Sequence, residues 1–380
     1  HTALRRQRQM CIRDRASIVQ FNFGKTEITL EKLDTDNGQY IYYDLYKPKI
    51  ASEKNKVPFI AIIPGFQRSK EALSNIAIEL SRRGYVVGLI DPYAQGLSSS
   101  SRSRIAATTQ GYGMFSLIEH VNESSDFNFI NKELLGSTGH SMGGNAAIRG
   151  ANYFGKKADK QNKKSLLHSV YVSGYVLTLR DDVLKDVRSN VGVSYALYDE
   201  GSFRNELKNW DAANMKIAPE SLRTVNSGLK KEEHISEVEL GKYYGDLESN
   251  TLRVIFNEEL LHPFQPYNAE ATANQLAYFE TVFGAPIKLD TYDQIWQWKE
   301  FFTLLNMIIS FWLLIPLTRT LLKVNFFKTL IKPIPEALPV QNRAGKTIFW
   351  SIFFVSAGIA CVTFIPLVEV AKTFFPEAAT

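Results

Sequence analysis

Cysteine is nearly missing from this chain: there are two in 380 residues, Cys11 and Cys361. That excludes a disulfide framework, and neither thiol has the neighbours that a metal site or a cysteine nucleophile needs. Histidine is also scarce, with six in all, and no Cys/His spacing suits zinc or an iron–sulfur cluster. Neither a Walker-type phosphate loop nor a dinucleotide fingerprint occurs. The expectation is chemistry without metal or cofactor.

Charge of one sign is not in large excess. Lys and Arg number 44 against 39 Asp and Glu, a net of +5. Most of it sits at the start, where residues 5–15 carry five arginines and one aspartate, leaving +1 for the rest. This string resembles the translated read-through of a transposon-type sequencing-library adapter. Residues 1–15 are therefore read as adapter-derived, in a fragment of metagenomic origin whose true start is missing. A basic arm for nucleic acid is the other reading of such a terminus, and no nucleic-acid partner is expected.

What is present is a chain 45% hydrophobic and 22% charged, a balance that folds. Residues 21–30 and 40–46, separated by the turn 34–38, predict an antiparallel hairpin. Val57–Ile63 is almost continuously apolar, as in a strand buried on both faces of a parallel sheet. A helix over 69–83, with Leu73, Ile76, Ala77 and Leu80 on one face, ends near Gly84. Strands are predicted at 86–90, 133–140, 169–173, 191–197 and 252–256. Helices are predicted at about 111–121, from 142 to about 154, and at 268–283. Strands alternating with helices give an α/β class with a mostly parallel central sheet.

Gly139-His140-Ser141-Met142-Gly143-Gly144 carries Gly-x-Ser-x-Gly between a strand and a helix. Alone the pattern is permissive, since an ordinary Gly/Ser turn satisfies it. Placed here it predicts a strained turn that exposes the Ser141 hydroxyl, with Gly139, Gly143 and Gly144 removing β-carbons where strand and helix meet.

Together with Ile63-Pro64-Gly65-Phe66-Gln67, Arg82-Arg83-Gly84-Tyr85-Val86-Val87 and Asp91-Pro92-Tyr93-Ala94-Gln95-Gly96, this motif gives a resemblance. Residues 24–285 resemble the α/β-hydrolase superfamily, and in particular bacterial membrane-associated serine hydrolases of the dienelactone-hydrolase and esterase kind. The resemblance implies a hydrolase domain over 16–290 and a serine–acid–histidine order. Related proteins have an N-terminal anchor, an external hydrolase domain and several following transmembrane helices, so the same plan is expected here.

A serine nucleophile needs a base and a group that orients it. His1 adjoins the suspect terminus, His120 lies in a predicted helix and His140 is the variable residue of the elbow. His168 precedes a strand and His234 sits in a charged stretch. His262, after the last strand, is the candidate base; a surface-loop histidine is the plainer reading. Asp199, after the 191–197 strand, is the candidate acid, with Glu200 as the alternative because the register is open to one residue. A turn or cap role is the competing reading of Asp199. The oxyanion donors are expected from the backbone of Met142 and Phe66, although Pro64-Gly65 stands where many relatives have His-Gly. Tyr93, Tyr112, Phe115, Phe203 and Trp210 are candidates for an apolar pocket wall or for plain packing. Asp91 reads as a strand-end structural residue.

Two long uncharged runs follow, 301–318 and 347–368, each long enough to cross about 30 Å of hydrocarbon. A buried core hairpin is the alternative. The connection 319–346 carries six basic residues against Glu336, which places it in the cytoplasm and the hydrolase domain outside. Residues 369–380 are a tail.

The expected activity is cleavage of a carboxylic ester or related acyl substrate, small or lipid-like, through an acyl-enzyme at a bacterial cell membrane. An esterase or lipase is the modest choice, and a peptidase demands better leaving-group protonation. Two other readings are carried: a catalytically silent hydrolase-like domain that binds a ligand or partner, and a hydrolase serving a transmembrane transport or signalling module. Substrate identity and oligomeric state are left open.

Overall fold

The computed structural model describes residues 15–35, 38–101, 103, 105–333 and 342–374. The adapter-like segment before Arg15, residues 36 and 37 of the first turn, 334–341 of the basic connection and the tail from 375 lie outside the described residues. The chain divides into two compact units, with the boundary at Leu304/Leu305.

The first unit is built on one sheet of eight strands: β1 (Thr26–Thr35), β2 (Gln39–Pro48), β3 (Val57–Ile63), β4 (Val86–Ile90), β5 (Ile130–His140), β6 (Ser169–Ser173), β7 (Asn190–Ser194) and β8 (Arg253–Phe256). Their spatial order is β1-β2-β4-β3-β5-β6-β7-β8. Strand β2 alone runs against the others, pairing antiparallel with β1 and with β4. The remaining pairs are parallel.

All seven residues of β3 are buried, as its continuous apolar run predicts. Phe59, Ala61 and Ile63 face one core, and Ile60 and Ile62 face the other. Helices α2 (Met114–Glu123) and α3 (Met142–Gln161) cover the first face. Helices α1 (Ser74–Arg82) and α5 (Ala269–Phe283) cover the second. Helix α4 (Pro219–Asn226) contributes Val225 to the first core. Phe59, fully buried, contributes on the order of 2–3 kcal/mol by leaving water.

The structure shifts several predicted bounds. Residues 21–25 form a turn in which Asn22, Phe23 and Gly24 all have positive φ, so the first strand starts at Thr26. Helix α3 runs two turns beyond Phe154, to Gln161, ending at an αL cap on Asn162. Strand β7 stops at Ser194, and residues 195–198 go on to bond Phe256 at the end of β8 and the loop that follows it.

Before it leaves the first unit, the chain packs back on α1. The buried carboxylate of Glu79 accepts from the N–H groups of Ile295 (2.7 Å) and Trp296 (3.0 Å) through Oε1. Its Oε2 pairs with Arg82 at 2.7 Å and Arg83 at 3.1 Å. Trp296 opens helix α6 (Trp296–Leu321), and Lys299 one turn later donates to Ser74 Oγ at 3.0 Å.

In the second unit lie the rest of α6 and helix α7 (Arg343–Phe374). These helices span both uncharged runs. Each is long and apolar enough to cross a membrane by length and composition.

Candidate active site

Strand β5 and helix α3 meet at Ser141, whose φ of 59° and ψ of −123° no ordinary side chain prefers. Backbone hydrogen bonds on both sides hold it there. The Ser141 N–H donates to Ser173 O at 2.8 Å, and its carbonyl accepts from Asn145 N–H at 3.1 Å. A β-carbon on Gly143 would lie 1.9 Å from Ile63 O, and one on Gly139 would lie 2.4 Å from Gly143. On Gly144 it would meet Ser173 O at 2.9 Å. The three glycines are what the crossing of β3, β5 and α3 requires.

Asp199 and His262 line a cleft of about 630 Å³ together with Ser141. His262 Nδ1 lies 2.7 Å from Asp199 Oδ2. The loops that carry them are joined by backbone bonds: Tyr195 N–H to Phe256 O at 3.1 Å, Leu197 N–H to Glu258 O at 2.8 Å, and Tyr198 N–H to Leu260 O at 2.9 Å. Asp199 is buried and its Oδ1 accepts from the Gly201 N–H at 2.7 Å, which aims the other oxygen at the imidazole. Glu200 is exposed, so the alternation of the turn separates the two candidate acids.

Ser141, Asp199, His262, Phe66 and Met142 line this one cleft, with Glu200 at its side. Met142 opens α3, where the first amides have no intrahelical acceptor. Phe66 precedes Gln67, which has a φ of 56°. No acceptor among the described residues takes the Phe66 or Met142 N–H.

The Phe66 loop has supports that the sequence reading did not assign. Gln95 Oε1 accepts from the Arg68 N–H at 2.5 Å, and Asp91 Oδ1 accepts from the Lys70 N–H at 2.8 Å. Asp91 also takes the Leu97 N–H, and a β-carbon on Gly96 would fall 2.2 Å from its carboxyl carbon. Lys70, itself buried, faces Asp91 at 3.4 Å and Asp44 at 3.8 Å. Burial pushes Asp44 up to about 6, against the pull of Lys70. The string 91–96 was visible as part of the resemblance, but its partners lie 21 to 27 residues upstream, a separation no local pattern reports.

His140 is buried under His262, with ring centroids 4.5 Å apart at 39°. Burial, followed by the neighbouring His262 and Arg68, holds it well below its ordinary value, so it stays neutral. Behind it Gln265 donates to Ser194 Oγ (2.6 Å) and Glu258 (3.1 Å), and Glu258 also accepts from Asn274 (3.0 Å).

Of the candidate pocket aromatics, Tyr112 alone lines the cleft. It is fully buried at a φ of 55°, and burial pushes its phenol up to about 12. Tyr93 and Phe115 belong to the core, while Phe203 and Trp210 stand exposed and edge to face at 5.0 Å. His168 bonds Ser169 Oγ at 2.7 Å, His120 packs on Phe127, and His234 is exposed. Among the described residues no group of three His, Cys, Asp or Glu is arranged to hold a metal.

The strand order, one reversed strand near the edge, and a serine at positive φ between the fifth strand and its helix decide the architecture. The chain has the α/β-hydrolase fold. A family model described as "PETase: PET hydrolase-like" matches residues 15–202, just under half of the chain. That span holds Ser141 and Asp199 and ends before His262. The search of curated proteins found no match.

Solved structures similar to this chain include the esterase Pf2001 from Pyrococcus furiosus. It is 10% identical with a TM-score of 0.46, over 68% of this chain and 94% of that one. A dienelactone hydrolase from Anabaena variabilis is 14% identical with a TM-score of 0.43, over 68% and 99%. The α/β hydrolase GrgF from Penicillium sp. is 13% identical with a TM-score of 0.44, over 68% and 99%.

Proposed function

We propose that this chain is a membrane-anchored serine hydrolase that cleaves a carboxylic ester or related acyl substrate through an acyl-enzyme on Ser141. The observation that carries the reading is the Asp199–His262 pair, 2.7 Å apart, in the cleft lined by a serine held at positive φ. Asp199 accepts the Nδ1–H of His262 and fixes the tautomer whose Nε2 is free to take the Ser141 proton. Ser141 Oγ bonds to the acyl carbon, and the Met142 and Phe66 N–H groups receive the charge on the carbonyl oxygen. The imidazolium gives its proton to the leaving alcohol, and the same base then activates water to release the acid. Neutral His140 beneath His262 adds no charge to oppose the imidazolium.

A fluorophosphonate probe tests this directly. Wild-type protein is expected to label, and Ser141→Ala to remain unlabelled with an unchanged melting temperature. Folded wild-type protein that hydrolyses no ester and takes no label would end the reading.

The membrane placement draws on α6 and α7 and on the basic bias of 319–346. In this reading the connection is cytoplasmic and the hydrolase domain lies outside the cell. Protease added to intact cells is then expected to cut the domain and spare the connection; the opposite pattern would reverse the topology.

A further inference from the structure

The loops that carry the site expose several large apolar side chains. Phe66 is 47% exposed, Phe264 59% and Trp210 86%, joined by exposed Tyr198, Phe203 and Leu261. All six come from the loops that carry the site: Tyr198 precedes Asp199, Leu261 precedes His262, and Phe66 lines the cleft itself. Single exposed apolar residues are ordinary, but a set carried by the loops of one site marks a contact surface.

The chain leaves the first unit beside this same edge. Helix α1 follows the Phe66 loop, so Ser74 lies at the strand-end edge that holds the site and Arg82 at the far one. The opening turns of α6 run back along it, from Glu79 at Trp296 to Ser74 at Lys299. Tyr267, five residues after His262, donates to Ala72 O at 3.1 Å against that same end of α1. From there α6 continues as a helix of bilayer-crossing length.

We propose that the rim formed by Phe66, Tyr198, Phe203, Trp210, Leu261 and Phe264 rests on a lipid bilayer surface, and that the cleft takes its acyl ester from the lipid phase. The proposal rests on the membrane-anchored reading above. The side chains suit that occupant: Trp and Tyr combine an apolar ring with a polar edge and settle at headgroup depth, while Phe and Leu enter the acyl boundary. Lys299, one turn into α6, lies at the edge of the first unit that holds the site.

Fluorescence quenching by the bilayer tests the rim independently of catalysis. In the full chain, with Cys11 and Cys361 changed to Ser, one cysteine is introduced by Phe264→Cys or by Glu53→Cys and labelled with an environment-sensitive dye. Glu53 is exposed in the turn between β2 and β3, at the opposite edge of the sheet. In phosphatidylcholine vesicles carrying headgroup-level nitroxide lipid, the dye at 264 is expected to be blue-shifted and quenched, and the dye at 53 to be neither. Equal quenching at both sites, quenching at 53 alone, or a dye at 264 shielded by a second copy would overturn the proposal.

Activity supplies a second arm. The pair Trp210→Ser and Phe264→Ser is expected to lower turnover of a vesicle-dissolved ester roughly tenfold and that of a soluble short-chain ester less than about twofold. Equal losses on both substrates would count against the rim. Wild-type protein without any esterase activity would sink the hydrolase reading alone, since quenching still reports where the rim lies.

Discussion

The wall of the cleft that carries Ser141 and the wall that carries Asp199 and His262 are held by different forces. Around Ser141 the constraint is steric: backbone from β3, β5 and β6 crowds the turn until only glycine fits beside it. Around His262 it is hydrogen bonding between two loops, ending in a single side-chain pair. A steric constraint fails abruptly, because a packed backbone cannot yield by an ångström. A hydrogen-bonded loop loses its parts one at a time.

The sharpest way to break that contrast is Gly143→Ala. A methyl group 1.9 Å from Ile63 O is expected to cost roughly 3 kcal/mol or more and to abolish probe labelling, as read from denaturant midpoints and labelling gels. A stable, active Gly143→Ala protein would remove the steric side of the comparison. On the other wall, Asp199→Asn or His262→Ala is expected to leave the fold intact and lower kcat by roughly 10²–10⁴. Near-wild-type turnover in either variant would dissolve the acid–base assignment.

Gln95→Ala acts between the two walls. Loss of the Arg68 N–H acceptor loosens the Phe66 donor, and kcat is expected to fall roughly tenfold with KM little changed. A change confined to KM would mean that Gln95 shapes substrate binding instead. The smallest expected effect is that of Glu200→Gln, within about twofold of wild type, because this carboxylate faces solvent beside the pair.

Acid supplies a stability test. The unfolded chain protonates His140 near 6.5, whereas the folded protein resists the proton until well below that. The contribution is therefore full above 6.5 and is lost as pH falls beneath it. The drop in melting temperature between about pH 7.5 and about pH 5 should shrink in His140→Gln. An equal drop in both proteins would place the acid sensitivity elsewhere.

Legibility in the sequence follows the same division. Strands β3, β4 and β6 match their predicted bounds, since burial on both faces leaves continuous apolar runs. The elbow could be read because steric demand leaves glycines at fixed spacing. The acid was open between Asp199 and Glu200, because a residue's burial in a turn depends on the neighbouring loop 60 residues away. The partners of Gln95 and Asp91 escape a local reading for the same reason, since each acts through a backbone amide of a distant segment. Tyr112 is open in the sequence between pocket wall and plain packing, and its place in the cleft lining decides it; His140, the variable residue of the elbow, takes its place from ring contact with His262.

Glu79 has a mechanical consequence. One carboxylate anchors the opening amides of α6 and both arginines at the end of α1. Tension applied along α6 would therefore be delivered to α1 and, through it, to the loop that presents the Phe66 amide. A chain cut at residue 290 would lose the Ile295 and Trp296 amides and leave that carboxylate facing two guanidinium groups alone. In this molecule the point where hydrophobicity changes and the point where force enters the first unit are different places.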